Sequence, residues 1–155
     1  MTTAPDVATA VVRSSTGLQL GTLTFDEGGT GVRISGTLKG LPPGVHGIHI
    51  HQVGRCDAPD FATAGAHHNP AGRKHGLENP QGPHAGDLPN IVADANGEAV
   101  VDLALVRPSS ETSAVAGLLN ANGAAAVIHA APDDQRTDPS GNSGARIGCG
   151  VMARE

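Results

Sequence analysis

His49 and His51 stand two residues apart in the run "HGIHIHQ". In an extended chain, residues i and i+2 point to the same face, so both imidazoles aim at one spot while Ile48 and Ile50 face the other way. Two neutral imidazoles aimed at one point suit copper, zinc, nickel or iron. A lone histidine in an apolar strand is more often a core residue bonded to a backbone carbonyl. That explanation weakens for a pair that precedes a further histidine-bearing stretch. That stretch holds His67, His75 and His84, spaced eight and nine apart, with Asp87 three residues later. Three imidazoles and one carboxylate make a four-coordinate tetrahedral zinc set. A polar surface loop is the plainer explanation for any one of them. For the set it is weak, because residues 54–89 offer little apolar content and metal coordination would staple them. His129 ends the run "AVIHA" and gains weight only if it converges with His49 and His51. His46 opens the same run as the pair and needs partners of its own. Cys56 and Cys149 are the only cysteines. They are two free thiols, one disulfide or two ligands, and neither lies in a CxxC.

The elements that must carry these groups read as short strands. "TAVVRSS" and "LQLGTLTF" flank a Ser-Thr-Gly turn, and "GVRISGTLKGL" alternates through Val32, Ile34, Gly36 and Leu38. "VHGIHIHQV" reads as one strand. "NIVADANGEAVVDLALV" reads as a hairpin about Asn96-Gly97, "AAAVIHA" as a strand, and "ARIGCGVMA" as the last strand. Between them lie two long loops, residues 54–89 and the stretch "PDDQRTDPSGNSG". "SAVAGLLNANG" is the single helical candidate. Many short strands with Gly 22 and Pro 11 give an all-β sandwich or barrel, in one domain of 155 residues. Residues 1–7 are expected to be a flexible N-terminus. With no Tyr or Trp and 2 Phe, small aliphatic side chains must fill the core. The net charge of -5 and the absence of a basic cluster argue against nucleic-acid binding. No apolar run reaches the 18 or so residues of a membrane span. "MTTAPDVATA" lacks the regions of a signal peptide. The expected location is periplasmic or extracellular if a signal peptide has been removed, and cytoplasmic otherwise.

Five motifs together carry a resemblance: "GVHGIHIHQVGRC", "GAHHNPAGRKHG", "HAGDLPN", "VIHAAPDD" and "GNSGARIGCGV". In order and spacing they resemble the copper/zinc superoxide dismutases, over roughly residues 8–153, with a second loop like that of bacterial members. The resemblance implies an eight-stranded Greek-key β-barrel or sandwich with two functional loops. It implies copper held by His49, His51, His67 and His129, and zinc by His67, His75, His84 and Asp87, so that His67 bridges the two ions. Arg146 matches the arginine that attracts the substrate anion. Asp133 matches the carboxylate that hydrogen-bonds one histidine of each metal. Cys56 and Cys149 match an intrachain disulfide, and His46 matches a structural histidine that binds no metal. His68 departs from the pattern and is an extra imidazole beside the bridge.

The implied reaction is two superoxide ions and two protons giving dioxygen and hydrogen peroxide, a protection against oxidative damage. Arg146 and His67 would be its catalytic residues. A chain at -5 must draw in an anion against its own charge. Arg146 is the best candidate for that pull, with Lys74 and Arg136 as further contributors. Superoxide is the implied partner, and a homodimer is an assembly the family allows. Two other readings compete. A zinc-only or metallochaperone-like relative would have lost copper ligands, which are all present here. A zinc hydrolase needs an open zinc position and a general base, and the His3Asp set fills the zinc.

Overall fold

The computed structural model describes residues 7–28, 31–106, 118–119 and 122–154. Its elements are almost all strands: β1 (Val7–Ser14), β2 (Gln19–Gly28), β3 (Gly31–Leu38), β4 (Gly44–His46), β5 (Ile48–His51), β6 (Ile91–Ala93), β7 (Ala99–Val106), β8 (Ala125–His129) and β9 (Arg146–Arg154). Among the described residues, a single 3-10 turn covers Ala62–Ala64. Seven strands form one curled antiparallel sheet in the order β5-β8-β9-β1-β2-β3-β7, and β4 pairs with β6 separately. The all-β reading holds. The helical candidate at residues 113–123 lies largely outside the described residues. Among the described residues, no helix is long and apolar enough to cross a membrane.

Period-two alternation decides what each strand buries. Val32, Ile34 and Leu38 of β3 go inward beside Leu23 and Phe25 of β2, and Ile48, Ile50 and Ile128 close the same core. A smaller apolar cluster of Phe61, Ala64, Val127 and Cys149 lies on the other side of β8 and β9, with Cys56 packed against it.

Two expectations about strand pairing need correction. The stretch 45–53 is not one strand but breaks at Gly47, where β4 leaves for β6 while β5 stays with β8. The Gly47 N–H donates to the Ala131 carbonyl (2.9 Å), and its own carbonyl accepts from the His129 N–H (2.8 Å). A Cβ at Gly47 would come within 2.9 Å of the Ser143 Cβ, so the break sits where only glycine fits. The turn at Asn96-Gly97 forms, with Asp94 Oδ1 accepting from the N–H groups of Asn96 and Glu98. Its arms then part, because β6 pairs with β4 and β7 with β3.

Candidate metal centre

Register places the histidines. In β5, His49 stands opposite Val127 and His51 opposite Ala125 of β8. On its other edge β5 is met by the first long loop, through bridges His49↔Asp87 and His51↔His67. Two separate points of that loop, His67 and Asp87, are thus fixed beside the pair. His129 closes β8 and faces Arg146 across the ladder to β9. All seven residues expected to be ligands are buried at one end of the sheet.

Hydrogen bonds then determine which nitrogen each ring leaves over. His51 Nδ1 lies 2.7 Å from the Gly65 carbonyl, and His129 Nδ1 lies 3.1 Å from the Gly144 carbonyl. His49 Nε2 lies 2.6 Å from Asp133 Oδ2. Each acceptor requires an N–H there, so the opposite nitrogen carries a lone pair. Those opposite atoms, His49 Nδ1, His51 Nε2 and His129 Nε2, are buried with no hydrogen-bond partner. His49, His51, His67 and His129 each offer one atom within 4.8 Å of the others. Burial lowers the pKa of all four rings. His67 falls to about 4 despite the hydrogen bond it donates to Asp87. His129 falls to about 3 with help from His49, and His51 falls well below 6.5 with help from His67. Four neutral imidazoles with three orphaned lone pairs could hold a metal ion, and imidazole donors suit copper among others.

The second group gathers on Asp87. Its Oδ2 accepts from the N–H groups of Gly76 and His84, both at 2.9 Å, which aims Oδ1 inward. Oδ1 lies 2.9 Å from His67 Nδ1, 2.9 Å from His75 Nδ1 and 3.3 Å from His84 Nδ1, and the nitrogens of His67 and His84 are 3.1 Å apart. Zinc–nitrogen bonds of about 2.0–2.1 Å in a tetrahedron put ligand atoms roughly 3.3 Å apart, and these four separations are of that order. Burial opposes the charge on His75, but its contacts with Asp133 and Asp87 prevail and raise it to about 9. A proton on Nδ1 relieves the close approach to Asp87 Oδ1, and a metal ion would take that proton's place. Burial likewise opposes ionisation of Asp87, yet the hydrogen bonds from His67, His75 and His84 hold it far below the usual carboxylate range.

Asp133 joins the halves. Besides His49, it accepts from His75 Nε2 at 2.9 and 2.8 Å, and burial fails to raise its pKa against those bonds. The Asn90 amide clips its backbone through two bonds of 2.9 Å. Gly141 (φ 67) lies against it so closely that a Cβ would strike Asp133 Oδ1. Arg146 is half-buried, its Nη1 donating to the Phe61 carbonyl (2.9 Å) and its Nη2 to the Gly65 carbonyl (2.8 Å). It lines a cleft of about 500 Å³ together with His51, His67, His84 and His129. Arg73 and Lys74 line the same cleft, whereas Arg136 pairs with Glu78 at 3.1 Å on the exposed surface.

His46 sets its ring nitrogens 2.8 Å from the His129 carbonyl and 2.6 Å from the Pro42 carbonyl, a structural role. His68 is buried, bonds β5 through its backbone and belongs to neither donor group. Cys56 and Cys149 form a disulfide with Cα atoms 5.6 Å apart. The sequence assigned no role to the carbonyls of Phe61 and Gly65 or to the amides of Asn90 and Gln135. Backbone carbonyls leave no trace in residue identity, and a lone amide leaves little.

Residues 19–152 match the family described as copper/zinc superoxide dismutase (SODC). A "Superoxide dismutase [Cu-Zn]" of Caulobacter vibrioides is 45% identical over 149 residues, 94% of this chain and 84% of that one. A SOD-like protein from Bacillus subtilis has a crystal structure with TM-score 0.84 at 37% identity, covering 92% of this chain and 96% of the other. The Cu/Zn superoxide dismutase from Brucella abortus superposes with TM-score 0.71 at 26% identity, over 94% and 98%. With sequence and structure agreeing over nearly its whole described length, the chain belongs to the copper/zinc superoxide dismutase family.

Proposed function

We propose that His49, His51, His67 and His129 hold a copper ion, that His67, His75, His84 and Asp87 hold a zinc ion, and that superoxide is dismuted at this paired centre. The observation that carries the reading is the position of His67. Its Nδ1 is 2.9 Å from Asp87, and its ring lies 4.0 Å from that of His49 and 4.7 Å from that of His51. When bound, copper supplies the one-electron changes that turn two superoxide ions and two protons into dioxygen and hydrogen peroxide, which zinc cannot do. His67 keeps Nδ1 on the Asp87 side and takes up and returns a proton at Nε2. Asp133 fixes the rings of His49 and His75 in the tautomers that leave Nδ1 free for a metal. Arg146 draws the anion into the cleft beside His129. Arg73 and Lys74 add two positive charges, while Asp138 is the one acid among the described lining residues. The cleft is therefore locally positive in a chain of net charge -5.

Metal analysis with an activity assay tests this reading. The expected result is one copper and one zinc per chain, with superoxide consumption lost and zinc retained in His129→Ala. Full activity in that variant would overturn the copper assignment, and binding of zinc alone would favour a non-dismutase relative.

A further inference from the structure

Gln135, in the second long loop, belongs to no motif and to neither donor group. Yet it is 8% exposed and adopts φ 63, a conformation non-glycine residues seldom take. Its backbone N–H donates to Asp133 Oδ1 at 2.6 Å. Its side-chain Nε2 donates to the Leu88 carbonyl at 3.0 Å, and its Oε1 accepts from the Leu77 N–H at 3.3 Å. Its carbonyl accepts from the Glu78 N–H at 3.0 Å. Leu88 directly follows Asp87, and Leu77 lies two residues after His75. Between them sits Gly76 (φ 117), so close that a Cβ would strike the Gln135 carbonyl.

We infer that Gln135 is a positioning residue for the zinc half of the centre, clasping through its side-chain amide the chain beside His75 and beside Asp87. This rests on the zinc assignment proposed above. The physical reason is preorganisation. His67, His75, His84 and Asp87 all lie on a loop whose sole regular element is one 3-10 turn. Such a loop must be ordered before four atoms can meet at tetrahedral spacing, and contacts already made in the metal-free chain remove that cost from binding. Of the four copper-side histidines, His49, His51 and His129 stand on β5 and β8, to which the Gln135 side chain makes no hydrogen bond, and only His67 lies on the clasped loop. Its loss therefore acts on zinc far more than on copper. The backbone N–H to Asp133 survives any side-chain substitution, so Asp133 keeps its hold on His49.

The test uses the full chain with its disulfide, stripped of metal, and measures zinc and copper affinity separately by competition with a chromophoric chelator. Gln135→Met keeps the length and removes both amide bonds. Its zinc affinity is expected to fall about 10- to 100-fold while copper affinity stays within about threefold of wild type. Cobalt(II) placed in the zinc site is expected to show weakened tetrahedral absorption bands in the same variant. Gln135→Glu keeps an acceptor for Leu77 but sets a carboxylate oxygen against the Leu88 carbonyl, so it serves if the Met variant does not fold, with a loss in the same direction. Zinc affinity within twofold of wild type in a folded variant would overturn the inference, as would equal loss of zinc and copper, which marks general loosening. If the wild-type chain bound no zinc that His84→Ala removes, the zinc assignment itself would fail and take this role with it.

Discussion

The disulfide allows the sharpest test by perturbation. Cys56 and Cys149 are 93 residues apart, so reducing the bond releases a loop of about two thirds of the chain. In the chain-entropy treatment a loop of about 94 residues is worth roughly 16 cal/mol/K, or about 4.7 kcal/mol at 25 °C. An unfolding entropy of about 2.1 cal/mol/K per residue gives about 330 cal/mol/K for this chain, so the unfolding midpoint is expected to drop by roughly 14 °C. The perturbation is Cys56→Ala with Cys149→Ala, because a serine hydroxyl at the buried position 149 would add a cost of its own. The assay is urea and thermal unfolding of the metal-free protein, which keeps metal affinity out of the comparison. A loss below about 1 kcal/mol with an unchanged urea dependence would refute the reasoning. It would mean that the contacts of Phe61, Ala64 and Val127 hold the loop without the covalent bond.

Three further outcomes follow from the site. Asp133→Asn breaks the shared acceptor of His49 and His75 and is expected to weaken zinc binding about 10- to 100-fold; equilibrium dialysis checks this, and unchanged zinc retention would contradict it. Arg146→Ala is expected to lower kcat/KM by about tenfold or more and to flatten its dependence on ionic strength; unchanged values of both would remove the steering role. The stability of the metal-free protein is expected to peak near pH 6.5. His67 and His129, with folded pKa values of about 4 and about 3, resist protonation that the unfolded chain accepts below about 6.5, so each costs up to about 1.4 kcal/mol per pH unit as pH falls from there to its folded value. His75, raised to about 9, contributes fully below about 6.5 and loses its contribution as pH rises through 9. Urea midpoints between pH 4 and 9 check both slopes, and stability rising steadily with acid would contradict the first.

Much of the site was legible because strand geometry converts spacing into direction. The two-residue interval between His49 and His51 fixes a common face whatever the partners are. The set His67, His75, His84 and Asp87 is legible as chemistry, but the sequence does not say that Asp87 Oδ1 is aimed by two backbone N–H groups. His129 carried no signal of its own; its place comes from the β8–β9 register that sets it opposite Arg146. Pairing was less legible than strand existence. Asn96-Gly97 encodes a turn, but which strands its arms join depends on faces distant in sequence, so β6 and β7 part. Gly47 looked like an interior strand residue, and only the packing of Ser143 against it shows why the strand divides there. Lys74 and Arg136 were equal candidates for the anion path, and the Glu78 contact separates them.

The most direct test of a centre that shares His67 is to load copper(II) into both metal sites and record the electron paramagnetic resonance spectrum. One deprotonated imidazole between two copper(II) ions couples their spins, so the expected result is loss of the ordinary copper signal at low temperature and its return in His67→Ala. Two independent, uncoupled copper signals in the wild-type chain would contradict a shared ring.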